Sequence, residues 1–384
     1  MIERGAPRDA LLDGVRAIAV ILVLLSHTWV LAPSLPDQRG SVVGGLFNAG
    51  SLGVCVFMVL SGYLLARSLT RTPRVGPWRG AIAPFVRRTL RISVSTAVLV
   101  GAIVLTSHLD RTDTTPRSTT NASIWPIATY TWNWWVREHP LASRADLGHL
   151  WYLSAEFHVL LVLVVAMAIA PKRMRIFGIA AGVLALASTY WGWHTLHTEG
   201  WYSALARTST RAQPALFGIA LALLASRVRV PAAWSRWLLA GGLTVLSVLV
   251  LTSGWAGTDG YFGWQSGLAC LATGALLVAA QGHSSGDSGV VRALRSRGLG
   301  WIGRASLSLY LWHYPLFFAV DRHTSDQPEV LRVAVGYAVL LPLTVALHRF
   351  LDTPVQRLTA RIGPIRPGAV GNGQVQPTSG QSTS

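Results

Sequence analysis

Long apolar runs separated by short basic or acidic segments dominate the chain. A membrane-crossing helix needs about 20 predominantly apolar residues, with about 17 as a practical minimum. Ten stretches qualify as candidates, near 14–31, 46–66, 92–107, 150–170, 176–193, 212–226, 237–253, 264–281, 300–320 and 332–350. The third and sixth are short. The pattern predicts an all-α polytopic membrane protein of about ten transmembrane helices, occupying residues 1–362. The remainder, 363–384, is rich in Gly, Pro, Gln, Ser and Thr and reads as a disordered cytoplasmic tail with no room for a second catalytic domain.

Composition agrees with that class. Charged residues make up 13% of the chain and hydrophobic residues 51%, where soluble domains carry roughly 25% charged residues. The net charge of +17 would suit nucleic acid, but the arginines lie between apolar runs, so orientation in a bilayer explains them and no nucleic-acid partner is expected. With the N-terminus placed inside, cytoplasmic segments hold 23 of the 33 lysines and arginines and external segments 9, Arg16 lying within the first helix. Of the 16 acidic residues, 10 fall in external segments, 5 in cytoplasmic ones, and Glu156 in a span. Both counts place both termini in the cytoplasm. The first apolar run keeps Arg16 at its start and no small-residue cleavage site follows, so it reads as a membrane helix and not as a signal peptide. Cys55 and Cys270 sit in apolar runs and suggest neither a disulfide framework nor a metal site.

Ionisable residues inside spans are costly and are functional hypotheses by default. Arg16 and His27 are eleven residues apart on one helix, three turns plus about 20°, so they share a face with about 16 Å between them. The bland alternative is a snorkelling arginine and a packed histidine. Glu156 lies about 10 Å below His149 along the fourth span, where it needs a partner or a water-filled cavity; His27 is a candidate partner, and an interhelical hydrogen bond the plain alternative. His313 precedes Pro315, which frees backbone groups one turn earlier and so marks a lined cavity; an aromatic belt with a kink is the alternative. Arg211, at the mouth of the sixth span, reads by default as an interfacial anchor. The loop near 108–149 carries Trp125, Tyr130, Trp132, Trp134 and Trp135, an interfacial belt before a sugar-stacking surface.

Five segments then occur in an order that resembles the acyltransferase-3 family of integral membrane O-acyltransferases, common in bacteria. They are Arg16 with His27; Gly53-Val54-Cys55-Val56-Phe57-Met58-Val59-Leu60-Ser61-Gly62-Tyr63; the basic run Phe85-Val86-Arg87-Arg88-Thr89-Leu90-Arg91-Ile92; His149-Leu150-Trp151 leading to Glu156; and Ser308-Leu309-Tyr310-Leu311-Trp312-His313-Tyr314-Pro315. The chain departs from the family at His158-Val159-Leu160, at Arg211-Ala212-Gln213, where Arg-Ala-Asp is usual, and at Asp352-Thr353-Pro354, where Glu-x-Pro closes.

The resemblance implies an enzyme of the bacterial cytoplasmic membrane that moves an acyl group from cytoplasmic acyl-CoA to a hydroxyl of a carbohydrate-containing acceptor (a cell-envelope glycan, a glycolipid or a glycosylated metabolite), without a metal. Such transfer needs a base, oxyanion donors and a held carrier. His27 is assigned the base, Glu156 the group that orients it, and His313 a supporting catalytic role. Arg16, Arg87, Arg88 and Arg91 are assigned to the donor's phosphates, since guanidinium suits phosphate. Ser61, Trp151, Arg211 and Trp312 are assigned to substrate contacts. No Gly-x-Ser-x-Gly elbow is present, which favours direct transfer over a serine intermediate. A proton-coupled transporter is the alternative; the two halves of the chain show no internal repeat that would support it. A sensor or scaffold would need a partner domain.

Overall fold

A computed structural model describes residues 10–38, 40–71, 79–225, 230–282 and 289–362. The tail expected to be disordered lies outside the described residues. The protein is helical throughout, with no strand among the described residues. In chain order the helices are α1 (Ala10–His27), α2 (Val42–Asn48), α3 (Gly50–Arg71), α4 (Arg79–Leu109), α5 (Arg117–Ala128) and α6 (Trp132–Glu138). They continue as α7 (Trp151–Ile169), α8 (Met174–Glu199), α9 (Trp201–Ala206), α10 (Thr208–Arg211), α11 (Gln213–Leu224) and α12 (Ala232–Gly260). The last are α13 (Ser266–Gly282), α14 (Gly289–Leu294), α15 (Arg297–Arg304), α16 (Ser306–Thr324), α17 (Glu329–Leu347) and α18 (Thr353–Ala360).

Among the described residues, each of the ten apolar stretches is mostly helical, and seven segments are long and apolar enough to cross a membrane. The difference from ten has physical causes. One segment, 233–281, is 49 residues long, about 73 Å at 1.5 Å per residue, against a hydrocarbon core of about 30 Å. Gly257 breaks it with φ 58° and ψ −154°, and α12 and α13 pack on one another. The segment is therefore two helices. α11 has only 12 residues, and α16 ends in Asp321-Arg322-His323. By contrast α4 reaches 31 residues, longer than the expected third span, because the charged run Arg87–Arg91 is itself helical.

The two helices that carry Arg16, His27 and Ser61 are the central ones. Within its most apolar window, α1 is 61% buried and α3 is 78% buried, whereas α17 is 17% buried. α3 crosses α11 closely. A Cβ at Gly62 would collide with the Ala215 carbonyl, and one at Gly218 with the Val59 carbonyl. Glycine at both positions lets the backbones touch.

Residues 110–150 form a strap across one end of the bundle. The Trp132 indole is fully buried and donates to the Leu147 carbonyl at 2.9 Å. Arg144 is 1% exposed and donates to Asp146 at 2.9 and 2.7 Å, Asp113 at 2.8 Å and Thr120 at 2.8 Å. Of the loop aromatics, Trp125 is exposed and Trp134 stacks on His158 at 4.5 Å. Burial acts to raise the Asp113 carboxyl, but hydrogen bonds from Arg144 and Thr115, with the Arg144 charge, outweigh it and hold it below its ordinary 3.8. A carboxylate depressed in the folded state stabilises above its unfolded value and loses that stabilisation as pH falls through the lowered one. We expect hydrogen-exchange protection factors across 110–146 to drop as pH falls below 3.8. Asp113→Asn should show weak protection at every pH and no acid step. A wild-type profile flat to pH 2 contradicts this account.

Candidate active site

The site begins with a proline. Pro315 lies inside α16 and has no N–H, so the Leu311 carbonyl one turn earlier is left without its helical donor. His149, at the end of the strap, fills the place: its Nε2 lies 3.2 Å from the Leu311 oxygen. The Tyr310 hydroxyl donates to the His149 carbonyl at 2.5 Å. The freed backbone thus docks α7's entry onto α16: the released carbonyl meets His149, and Pro315 itself lines neither the upper nor the lower cavity.

On the same face of α16, His313 is fully buried. Its Nδ1 faces the carbonyls of Tyr310 at 2.8 Å and Leu309 at 3.1 Å. Two carbonyls can only accept, so Nδ1 carries the proton and Nε2 of the neutral ring is a lone pair. That Nε2 lies 3.0 Å from His27 Nδ1, which also faces the Val23 carbonyl at 3.0 Å. His27 Nδ1 must then donate, and His27 Nε2 is the unprotonated, basic nitrogen. By the same logic His149 holds its proton on Nε2. Its Nδ1 is buried with no hydrogen-bond partner among the described residues. Three imidazoles meet here, with ring centroids 5.0 Å apart for His27–His313 and 5.4 Å for His149–His313.

His27 and His149 line an upper cavity of about 420 Å³, with Trp29, Trp151, Trp201 and Tyr261 among its walls. A lower cavity of about 140 Å³ holds Arg16, Ser61, Arg88, Arg91 and Glu156. Tyr310 lines both. The lower cavity shares Arg88 and Arg91 with a third space of about 460 Å³, flanked by Arg87 and by Gln356 and Thr359 of α18. A chain of guanidinium groups therefore runs toward Tyr310 from one end of the bundle, and imidazoles approach it from the other. No group of three or more His, Cys, Asp or Glu side chains suited to a metal occurs among the described residues.

Several assignments change. Glu156 does not orient His27: its carboxylate accepts from Arg88 at 2.6 Å and from Tyr152 at 2.9 Å. Seven residues separate Glu156 from His149, which carries it about 10 Å deeper, to the level of the lower cavity. The partner of His27 is His313. Arg88 is accordingly committed to an ion pair, and Arg16 pairs with the buried Asp13 at 3.1 Å. Trp312 lines neither cavity. Adjacent helical residues diverge by about 100°, so the face that shows His313 also shows Tyr310 and Tyr314 and turns Trp312 away. Trp151 does line the upper cavity, and Ser61 lines the lower one with its hydroxyl buried and without a hydrogen-bond partner. Arg211 is no surface anchor: it is 2% exposed and lies over the rings of Tyr261, Trp151 and Phe262 at 4.6, 5.0 and 5.5 Å. None of the five loop aromatics lines the upper cavity. His149 and Tyr310 were missed as site residues, although the His-Leu-Trp and Tyr-Leu-Trp-His segments contained them.

The sequence profile of a family described as "Acyltransferase domain" matches residues 9–349. A Bacillus subtilis protein whose name carries a provisional assignment as a peptidoglycan O-acetyltransferase is 28% identical over 90% of this chain and 54% of its own length. A peptidoglycan O-acetyltransferase of Listeria monocytogenes is 26% identical over 90% of this chain and 55% of its own. A Staphylococcus aureus protein provisionally named an O-acetyltransferase is 25% identical, over 90% and 57%. The chain thus spans just over half the length of these relatives. No solved structure matches it.

The Arg88–Glu156 pair can be tested directly. Glu156 has 3% of its side chain exposed and Arg88 27%, so removing the arginine strands the more buried charge. Arg88→Ala should lower stability by about 3 kcal/mol. The double variant Arg88→Ala/Glu156→Ala should recover most of that loss in thermal unfolding in detergent. Additive losses in the double variant rule out the coupling.

Proposed function

The chain belongs to the acyltransferase-domain family, and on that footing we propose that it transfers an acyl group from coenzyme A to a hydroxyl of a carbohydrate-containing acceptor. The observation that carries the proposal is the meeting of an arginine-lined cavity and a histidine-lined cavity at Tyr310. We place the arginine end in the bacterial cytoplasm, with both termini, and the histidine end outside, in keeping with the distribution of basic residues along the sequence. The peptidoglycan named for the relatives makes a cell-envelope glycan the leading acceptor class.

In this reading the donor's phosphates lie at Arg87 and Arg91, its slender thioester arm passes Arg16 and Ser61, and the thioester carbonyl reaches Tyr310. The acceptor sugar packs against Trp151 in the upper cavity. His27 Nε2 takes the proton of the acceptor hydroxyl as its oxygen attacks the thioester carbon. The resulting imidazolium is stabilised where it forms, because Nδ1–H already donates to His313 Nε2 and the Val23 carbonyl. Collapse of the tetrahedral oxyanion breaks the carbon–sulfur bond, and the leaving thiolate recovers the proton. Ser61 has a hydroxyl donor to offer the donor arm. The arrangement supports direct transfer.

Purified protein in liposomes should release or transfer label from radiolabelled acetyl-CoA. His27→Ala should lower turnover by about 10²- to 10⁴-fold. His313→Ala should lose a comparable share, and the double variant little more than either alone, because the two rings act as one unit. Independent, multiplying losses would remove His313 from that unit. No turnover of acetyl, propionyl or longer thioesters, even with crude envelope extract as acceptor, would sink the proposal and favour the proton-coupled transporter.

A further inference from the structure

One buried charge has no place in this mechanism. Arg211 is 2% exposed, and its Nε, Nη1 and Nη2 make no hydrogen bond of ordinary geometry among the described residues, the Tyr261 hydroxyl being the polar group that approaches it. Around it are the faces of Trp151, Tyr261 and Phe262. Aromatic faces attract a guanidinium but supply no counter-charge. Tyr261 adds a hydroxyl dipole, and the next polar side chain along the chain, Gln213, is neutral. A buried, uncompensated cation is strongly unfavourable. Something must offset it in the working state.

The surroundings show what fits. Arg211 borders a void of about 10 Å³, lined also by Thr210, Gln213, Tyr261 and Ser266. A void of that size holds about one water-sized particle. The Tyr261 and Ser266 hydroxyls and the Gln213 amide on its wall can donate, whereas the Thr210 and Thr189 hydroxyls already donate to backbone carbonyls and Pro214 and Phe262 are apolar. A positive charge, several donors and no acceptor charge describe a place for one anionic atom. The void shares Tyr261 and Phe262 with the upper cavity. Those two rings stand on a π-helical turn, Tyr261–Gln265, that follows the Gly257 break, the kind of local irregularity that recurs at functional sites.

We propose that Arg211 is an anion site behind the wall of the acceptor cavity, and that its natural counter-charge is a carboxylate oxygen carried by the acceptor. The acceptor would then be an acidic sugar derivative and not a neutral one. This rests on the assignment of the upper cavity to the acceptor. A free halide has the same chemistry and size, and the experiment separates the two sources.

The test is thermal unfolding of the full-length protein in detergent, at ionic strength fixed with sodium sulfate. The probes are sodium methyl glucuronide, methyl glucoside and sodium bromide. We expect saturating glucuronide to raise the wild-type midpoint by roughly 5 °C, glucoside to leave it unchanged and bromide to do less than glucuronide. Without ligand, Gln213→Asp should already melt higher than wild type, since it places a carboxylate next to the void, and its response to glucuronide should vanish. Arg211→Gln should show no response either. Bromide matching glucuronide in full would assign the site to a free halide and overturn its role in acceptor choice. No response to either anion, together with an unchanged Gln213→Asp midpoint, would overturn the site altogether. None of these readings requires acyl transfer, so failure of the transfer assay leaves the anion site standing, and the reverse also holds.

Discussion

A missing hydrogen-bond donor organises this protein. Pro315 cannot bond the Leu311 carbonyl, and His149 takes the place that the proline leaves open. Helices that cross a membrane ordinarily spend every backbone polar group on themselves. Here one group is released at depth and used to dock the entry of α7 onto α16, with Tyr310 closing the contact from the other side. Intact carbonyls one turn earlier play the complementary part, since Leu309 and Tyr310 fix the His313 proton on Nδ1, and that choice passes to His27. The backbone of α16 therefore decides the proton positions of His149 and His313, and His313 together with the Val23 carbonyl of α1 decides that of His27. No carboxylate is needed to set them.

This division separates an ionised system from an imidazole system a short distance away. The guanidinium groups and Glu156 are gathered in the lower cavity, where they satisfy one another through Arg88 and Glu156 and through Arg16 and Asp13. The upper cavity keeps neutral imidazoles. A carboxylate beside His27 would favour the charged ring before any substrate arrived. In the proposed transfer, His313 is a neighbour that adds no charge to His27 beforehand and accepts from its Nδ1–H once the ring has taken a proton.

Much of this was legible from the residues alone. Hydrophobic spacing located the long apolar helices but not the short ones such as α5, α6, α9, α14 and α18, and eleven-residue spacing put Arg16 and His27 on one helix, where they line the lower and the upper cavity. What stayed hidden depends on how helices are set against each other in depth. Glu156 and His27 each approach the same membrane face, yet their levels differ by about two turns, and no single-helix argument reports the offset. Trp312 was drawn in by its neighbour His313, although helical geometry sends adjacent side chains apart; the same geometry would have selected Tyr310. Arg211 read as an anchor because charge at a helix end is usually wet. Its burial arises from three rings contributed by α7 and by the turn after α12, which lie far away in sequence.

The shortness of α11 has a further consequence. Twelve residues rise only about 18 Å, well short of the roughly 30 Å that separates the two aqueous phases across a hydrocarbon core. α11 is nonetheless sheathed by α3 and α8, so lipid need not deform to meet it.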